Sequence, residues 1–125
     1  MELWKKIERA QNRLVRVINR TPMVYSDTIS NLMGHEVFLK LESLQKAGSF
    51  KIRGAYCKLS QLSPAERKRG VVAASAGNHA QGVALAASLL GIHSTIVMPQ
   101  ESSIAKQEAT RSYGGEVVLS GSDVN

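Results

Sequence analysis

A single cysteine, Cys57, stands among 125 residues, which excludes an internal disulfide framework and fits a reducing compartment. No motif surrounds it, so it reads as a small buried or half-buried helix residue rather than a nucleophile. Aromatic residues are scarce, at 5%. With no recognition-helix or stacking-platform motif either, nucleic acid is not the expected partner, despite a net charge of +6. No apolar run approaches the roughly 20 residues that cross a bilayer. Charges at Glu2, Lys5 and Lys6 come before any leader-like apolar core. The expectation is a soluble, cytoplasmic chain with no membrane partner. No spacing of His, Cys, Asp or Glu suits a metal. No G-x-G-x-x-G follows an expected strand, which argues against an ordinary dinucleotide fold.

What is present suffices for one folded domain, since 43% of the residues are hydrophobic. The charge is uneven: residues 1–70 hold 14 Lys/Arg against 6 Asp/Glu (+8), and residues 71–125 hold 2 against 4 (−2). The basic excess reads as solvated helix faces. Residues 2–18 predict an amphipathic helix with Leu3, Ile7, Ala10, Leu14 and Val17 on one stripe, docked on its own protein, with Trp4 packed. Arg20-Thr21-Pro22 then extends the chain. A short strand at Met23–Ser26 and a short helix from Asp27 ended by Gly34 follow, then a strand at Val37–Leu41 with Val37, Leu39 and Leu41 on one face. Ser63 caps a helix with Pro64 at its first position, and its charged residues Glu66 to Arg69 read as a solvated face.

From Val71 the pattern becomes strand, helix, strand, helix, strand. The strands fall at Val71–Ala74 (read as buried), Ser94–Met98 and Glu116–Leu119. The helices fall at Asn78–Leu90 and about Ser103–Tyr113. Such alternation predicts an α/β fold with a parallel βαβαβ unit over residues 71–119.

Two stretches carry chemistry. In SLQKAGSFKIRGA, Gly48 breaks the chain, Ser49 is the expected N-cap, and Phe50 and Lys51 enter the first turn of a helix. Ile52, Ala55, Tyr56, Leu59 and Leu62 form its apolar face. The positive end of the helix dipole and the neighbouring charge of Arg53 are expected to favour the free amine of Lys51, the form that captures carbonyls. In AASAGNHAQG, residues Ser75-Ala76-Gly77-Asn78-His79 make a strand-to-helix turn whose backbone N–H groups form an anion site. The plain alternative is an ordinary turn capped by Asn78.

Together, SFKIRGA and ASAGNHAQGVA resemble the threonine dehydratase and serine racemase group of pyridoxal-phosphate enzymes, within the fold family that also contains tryptophan synthase β. RTPM at Arg20–Met23 and FLKLESLQ at Phe38–Gln45 extend the resemblance. It implies pyridoxal 5'-phosphate as cofactor, Lys51 as its Schiff-base lysine, Phe50 flanking the ring and Asn78 hydrogen-bonding the ring 3′-oxygen. Ser75, Gly77, Asn78 and His79 would receive the carboxylate of an amino-acid substrate. His79 reads as structural or carboxylate-contacting in preference to a free acid–base. His35 and His93 read as surface residues.

The group's racemases carry serine at position 76, as second proton donor. Ala76 here implies elimination, hence a dehydratase making 2-oxobutanoate or pyruvate and ammonia from L-threonine or L-serine, in a homo-oligomeric parent enzyme. A serine racemase or serine-specific dehydratase is the alternative within the group. A non-catalytic interaction module is the alternative outside it. Family members are longer and grip the cofactor phosphate with a downstream glycine-rich loop that this sequence lacks. Residues 1–70 are therefore expected to begin a large cofactor domain and residues 71–125 to supply most of a small one. Gly121-Ser122-Asp123 reads as the cap of another helix.

Overall fold

The computed structural model describes residues 2–122; the helix start expected at Gly121-Ser122-Asp123 runs outside them. Helix α1 spans Leu3–Leu14, four residues short of the periodicity. Val15, Val17 and Ile18 are β-branched and disfavour helix, and the amides of Val17 and Ile18 both turn back onto the Leu14 carbonyl at 2.8 and 3.2 Å. Only the end of the apolar stripe docks. Leu14 is buried, but Leu3 and Ile7 are exposed, and Trp4, expected to pack, is 65% exposed.

Strands β1 (Met23–Tyr25) and β2 (Phe38–Lys40) pair antiparallel with Val24 opposite Leu39. Tyr25 and Phe38 meet edge to face at 5.4 Å. Helix α2 (Asp27–Met33) links them, with the Ser26 hydroxyl accepting from Ile29 N–H and Gly34 closing it at φ 68.

Helix α3 (Lys51–Leu59) buries Ile52, Ala55 and Leu59, the face expected. Helix α4 (Pro64–Arg69) starts with a complete capping box between Ser63 and Glu66. Its charges are not all solvated bystanders: Arg67 donates to the carbonyls of Leu62 and Ser60 at 3.1 and 2.9 Å, tying α4 to the end of α3.

Strands β3 (Val71–Ala74), β4 (Ser94–Met98) and β5 (Glu116–Leu119) form a parallel sheet in that order, joined by α5 (Asn78–Leu89) and α6 (Ile104–Ser112). In β4, Ser94, Ile96 and Met98 are buried, and Ile96 and Met98 join the core built by α3 and α5. The small residues Ala80, Ala84 and Ala87 of α5 let neighbouring elements approach closely. The other sheet face is open. Val72 is 73% exposed, so β3 is a half-exposed edge strand rather than the buried one expected. Cys57 is half-buried, and burial pushes its thiol pKa up. No helix among the described residues is long and apolar enough to cross a membrane.

Candidate active site

Parallel strands deliver their following loops to one end of the sheet, the usual place for a ligand. At the end of β3, Ser75 N–H continues the ladder to Val97 O at 3.0 Å. The Ser75 hydroxyl then accepts from Gly77 N–H at 3.3 Å, curling the loop inward. Gly77 occupies the cap position of α5, not Asn78, and no side chain caps that helix. In α2 and α4 a serine hydroxyl claims an early amide, whereas at α5 the first amides are left for another acceptor. Asn78 and His79 are exposed beside this opening, and Ser75, Ala76 and Gly77 are half-buried.

Lys51 opens α3 and is half-buried. Ser49 is extended and its hydroxyl accepts from Lys51 N–H at 3.4 Å, so it makes the expected capping bond although Phe50 occupies the formal cap position. The approach to α3 is unusual: Ala47 is left-handed at φ 57 and Gly48 at φ 63. A left-handed alanine costs about 1–2 kcal/mol, and here its methyl is buried in a turn packed on α5. The Lys51 ammonium lies 5.0 Å from the centre of the Phe50 ring, and no ion pair involves it among the described residues.

Gly82 brings these pieces together. It lies about one turn along α5 from Asn78 and His79. A Cβ there would stand 2.9 Å from Lys51 Cβ, 3.0 Å from Lys51 C and 3.2 Å from Ile52 N. Only glycine permits this approach, which sets the main chain of Lys51 against the helix that carries the loop. No direct hydrogen bond links Lys51 to residues 75–79 among the described residues.

One expectation is overturned. Arg53 does not present a free charge to Lys51. Its Nε and Nη2 donate to Glu42 Oε2 and Oε1 at 2.7 and 2.8 Å. The Arg53 side chain beside it, helped by the Thr21 hydroxyl at 2.6 Å, holds the Glu42 carboxyl at about 2, and Glu42 in turn raises the Arg53 pKa. The neighbouring Gln45 is buried; its amide accepts from Asn19 N–H at 2.8 Å and donates to Asn19 O at 2.9 Å. Sequence reading gave Glu42, Thr21 and Gln45 no role, although their polarity amid apolar neighbours in RTPM and FLKLESLQ is a visible signal.

The site is an open surface. Cavities of about 630 and 310 Å³ lie elsewhere, around α1, and neither is lined by Lys51 or by residues 75–79. His35 and His93 are exposed, and His93 meets Glu116 at 3.3 Å on the sheet rim. No group of His, Cys, Asp and Glu among the described residues could hold a metal.

An amine with no ion pair among the described residues and an aromatic ring beside it fit a carbonyl-bearing cofactor such as pyridoxal phosphate, and the uncapped helix start, joined to them by a contact that only glycine allows, fits the carboxylate of an amino-acid substrate. The comparisons agree. The chain is 57% identical over 115 residues to an L-threonine ammonia-lyase of Thermotoga maritima, covering 92% of this chain and 29% of that protein. It is 51% identical over 120 residues to a catabolic L-threonine dehydratase of Staphylococcus aureus, covering 95% of this chain and 35% of the relative. The chain thus spans about a third of the length of these relatives. Among solved structures it is similar to maize serine racemase, with a TM-score of 0.88 and 41% identity, covering 95% of this chain and 36% of that one. It is also similar to a processed threonine deaminase isoform from Solanum lycopersicum, with a TM-score of 0.82 and 38% identity, covering 96% and 34%. A family model described as "Pyridoxal-phosphate dependent enzyme" matches residues 14–125, a span that takes in Lys51, Gly82 and the Ser75–His79 loop. By that match, this chain belongs to the pyridoxal-phosphate dependent enzymes.

Proposed function

We propose that the chain supplies the cofactor lysine and the substrate-carboxylate loop of a pyridoxal-phosphate-dependent lyase. The reaction releases ammonia and 2-oxobutanoate from L-threonine, and pyruvate from L-serine. The observation that carries this reading is the approach of α5 to Lys51 at Gly82. In the proposal, residues 1–70 belong to a large cofactor domain and residues 71–125 to a small one, within a longer, cytoplasmic, homo-oligomeric enzyme. The likeness to threonine ammonia-lyase and dehydratase supports the substrate class.

When bound, pyridoxal phosphate supplies an electron sink that makes the substrate's α-proton removable. Lys51 Nζ would hold the cofactor and, as a free amine, would take the substrate's α-proton. Phe50 would flank the cofactor ring, and Asn78 would hydrogen-bond its 3′-oxygen. Ser75, Gly77, Asn78 and His79 receive the substrate carboxylate at the uncapped start of α5, which aligns the α-C–H bond for transfer to Lys51. The β-hydroxyl would leave as water with the proton that Lys51 holds, and hydrolysis of the released imino acid would consume one water to give ammonia and the 2-oxo acid. In the longer enzyme, Lys51→Ala should abolish both the cofactor's visible absorbance and 2-oxo acid formation. Retention of either would refute the assignment.

The likeness to maize serine racemase favours a second reading, racemisation. Ala76 opposes it, because a methyl has no proton to deliver to the opposite face. Ala76→Ser should raise D-serine formation relative to ammonia release. Fast racemisation by the unmodified enzyme would favour the second reading instead.

A further inference from the structure

We infer that Glu42 and Arg53 form a positioning pair that fixes the first turn of α3, and with it the direction in which Lys51 presents its amine to the Ser75–His79 loop. The inference rests on the proposed role of Lys51. An isolated surface ion pair orders little. This one is a two-pronged contact at 2.7 and 2.8 Å, and the same carboxylate accepts from the Thr21 hydroxyl at 2.6 Å. It joins segments that are distant in sequence: the extended stretch at Thr21, the turn at 42–44 and the start of α3. Gln45, bonded to both backbone groups of Asn19, repeats the link a few residues on.

Arg53 leaves the helix roughly 200° round from Lys51, at about 100° per residue. The pair therefore holds the first turn from the side away from Lys51. Gly82 bears on the Lys51 and Ile52 backbone. Arg53 N–H also closes that turn onto Phe50 O at 3.0 Å. A lysine reaches its partner through four flexible carbons, so its accuracy depends on how firmly its backbone is held.

The test uses Glu42→Gln, Arg53→Lys and the reversed pair Glu42→Arg/Arg53→Glu. In the 125-residue chain, either single change should speed hydrogen exchange at the amides of residues 51–53 about tenfold, with β4 and α6 unaffected. In the longer, cofactor-loaded enzyme, kcat should fall roughly tenfold to a hundredfold while KM for L-threonine moves less than about twofold. The cofactor's visible circular dichroism should weaken in parallel, and the reversed pair should recover part of each loss. The inference is overturned by unchanged exchange at residues 51–53, by lost stability with unchanged kcat, or by a reversed pair no better than the single variants. Lys51→Ala separates the two claims. If it leaves the cofactor attached, the reading of Lys51 fails. If it detaches the cofactor while Glu42→Gln changes nothing, only the positioning pair fails.

Discussion

In β4, Ile96 is fully buried and Met98 is 1% exposed, whereas in the β1–β2 pair Met23 is 62% exposed and Phe38 52%. Both regions are rich in apolar side chains, yet only the parallel unit has helices laid on one of its faces. There, α3 and α5 close a core over β4, and the small residues of α5 bring that core to the edge of the Ser75–His79 loop. The base of the β1–β2 pair is held instead by polar contacts, chiefly those of Thr21, Glu42 and Arg53, and α1 docks through the buried Leu14 at its end. The packed region fixes how closely α5, which follows the Ser75–His79 loop, approaches the backbone of Lys51. The polar region fixes how the lysine's helix is entered.

That contrast can be broken most directly in the core. Ile96→Ala should cost about 2–5 kcal/mol in chemical denaturation, because a large side chain is removed from a closed interior. Met23→Ala removes a comparable volume at an exposed position and should change stability by less than about 0.5 kcal/mol. Similar losses at the two positions would mean that the β1–β2 pair is packed in solution.

Gly82→Ala sets two effects against each other. Helix propensity alone favours alanine by about 1 kcal/mol. The new methyl, however, meets Lys51 Cβ at 2.9 Å and Lys51 C at 3.0 Å. Overpacking of this kind costs about 1–3 kcal/mol, so net destabilisation is expected. A rise in melting temperature would show that α3 and α5 do not touch there.

The smallest effect is in acid. Glu42 is lowered from the ordinary 4.5 to about 2 in the folded chain. Its contribution is complete above 4.5 and fades as pH falls toward 2, because the unfolded chain takes up the proton first. Melting temperature should therefore decline more steeply across that interval in the unmodified chain than in Glu42→Gln. Parallel curves would place the carboxylate outside the pair.

The same contrast explains what the sequence disclosed. The ends of β3, β4 and β5 matched expectation residue for residue, because each strand is a short apolar run bounded by local breaks such as Gly70 and Gly91. The α/β class and the family followed from that alternation and from two motifs. The end of α1 did not follow, because apolar periodicity persists through Val17 after the helix has stopped at Leu14. Nor did exposure: Trp4 and Val72 fit packed patterns, and burial depends on elements that arrive from elsewhere. The charge of Arg53 was misjudged because its partner, Glu42, lies 11 residues away in a turn, and a polar contact of that span leaves no periodic trace.

Reductive trapping reports directly on which lysine carries the cofactor. The longer enzyme, loaded with pyridoxal phosphate, is treated with borohydride, digested and read by mass spectrometry. One dominant pyridoxyl adduct is expected, on Lys51 within the SFKIR segment, with its loss in Lys51→Ala. An adduct on another lysine, or one spread evenly over several, would contradict it.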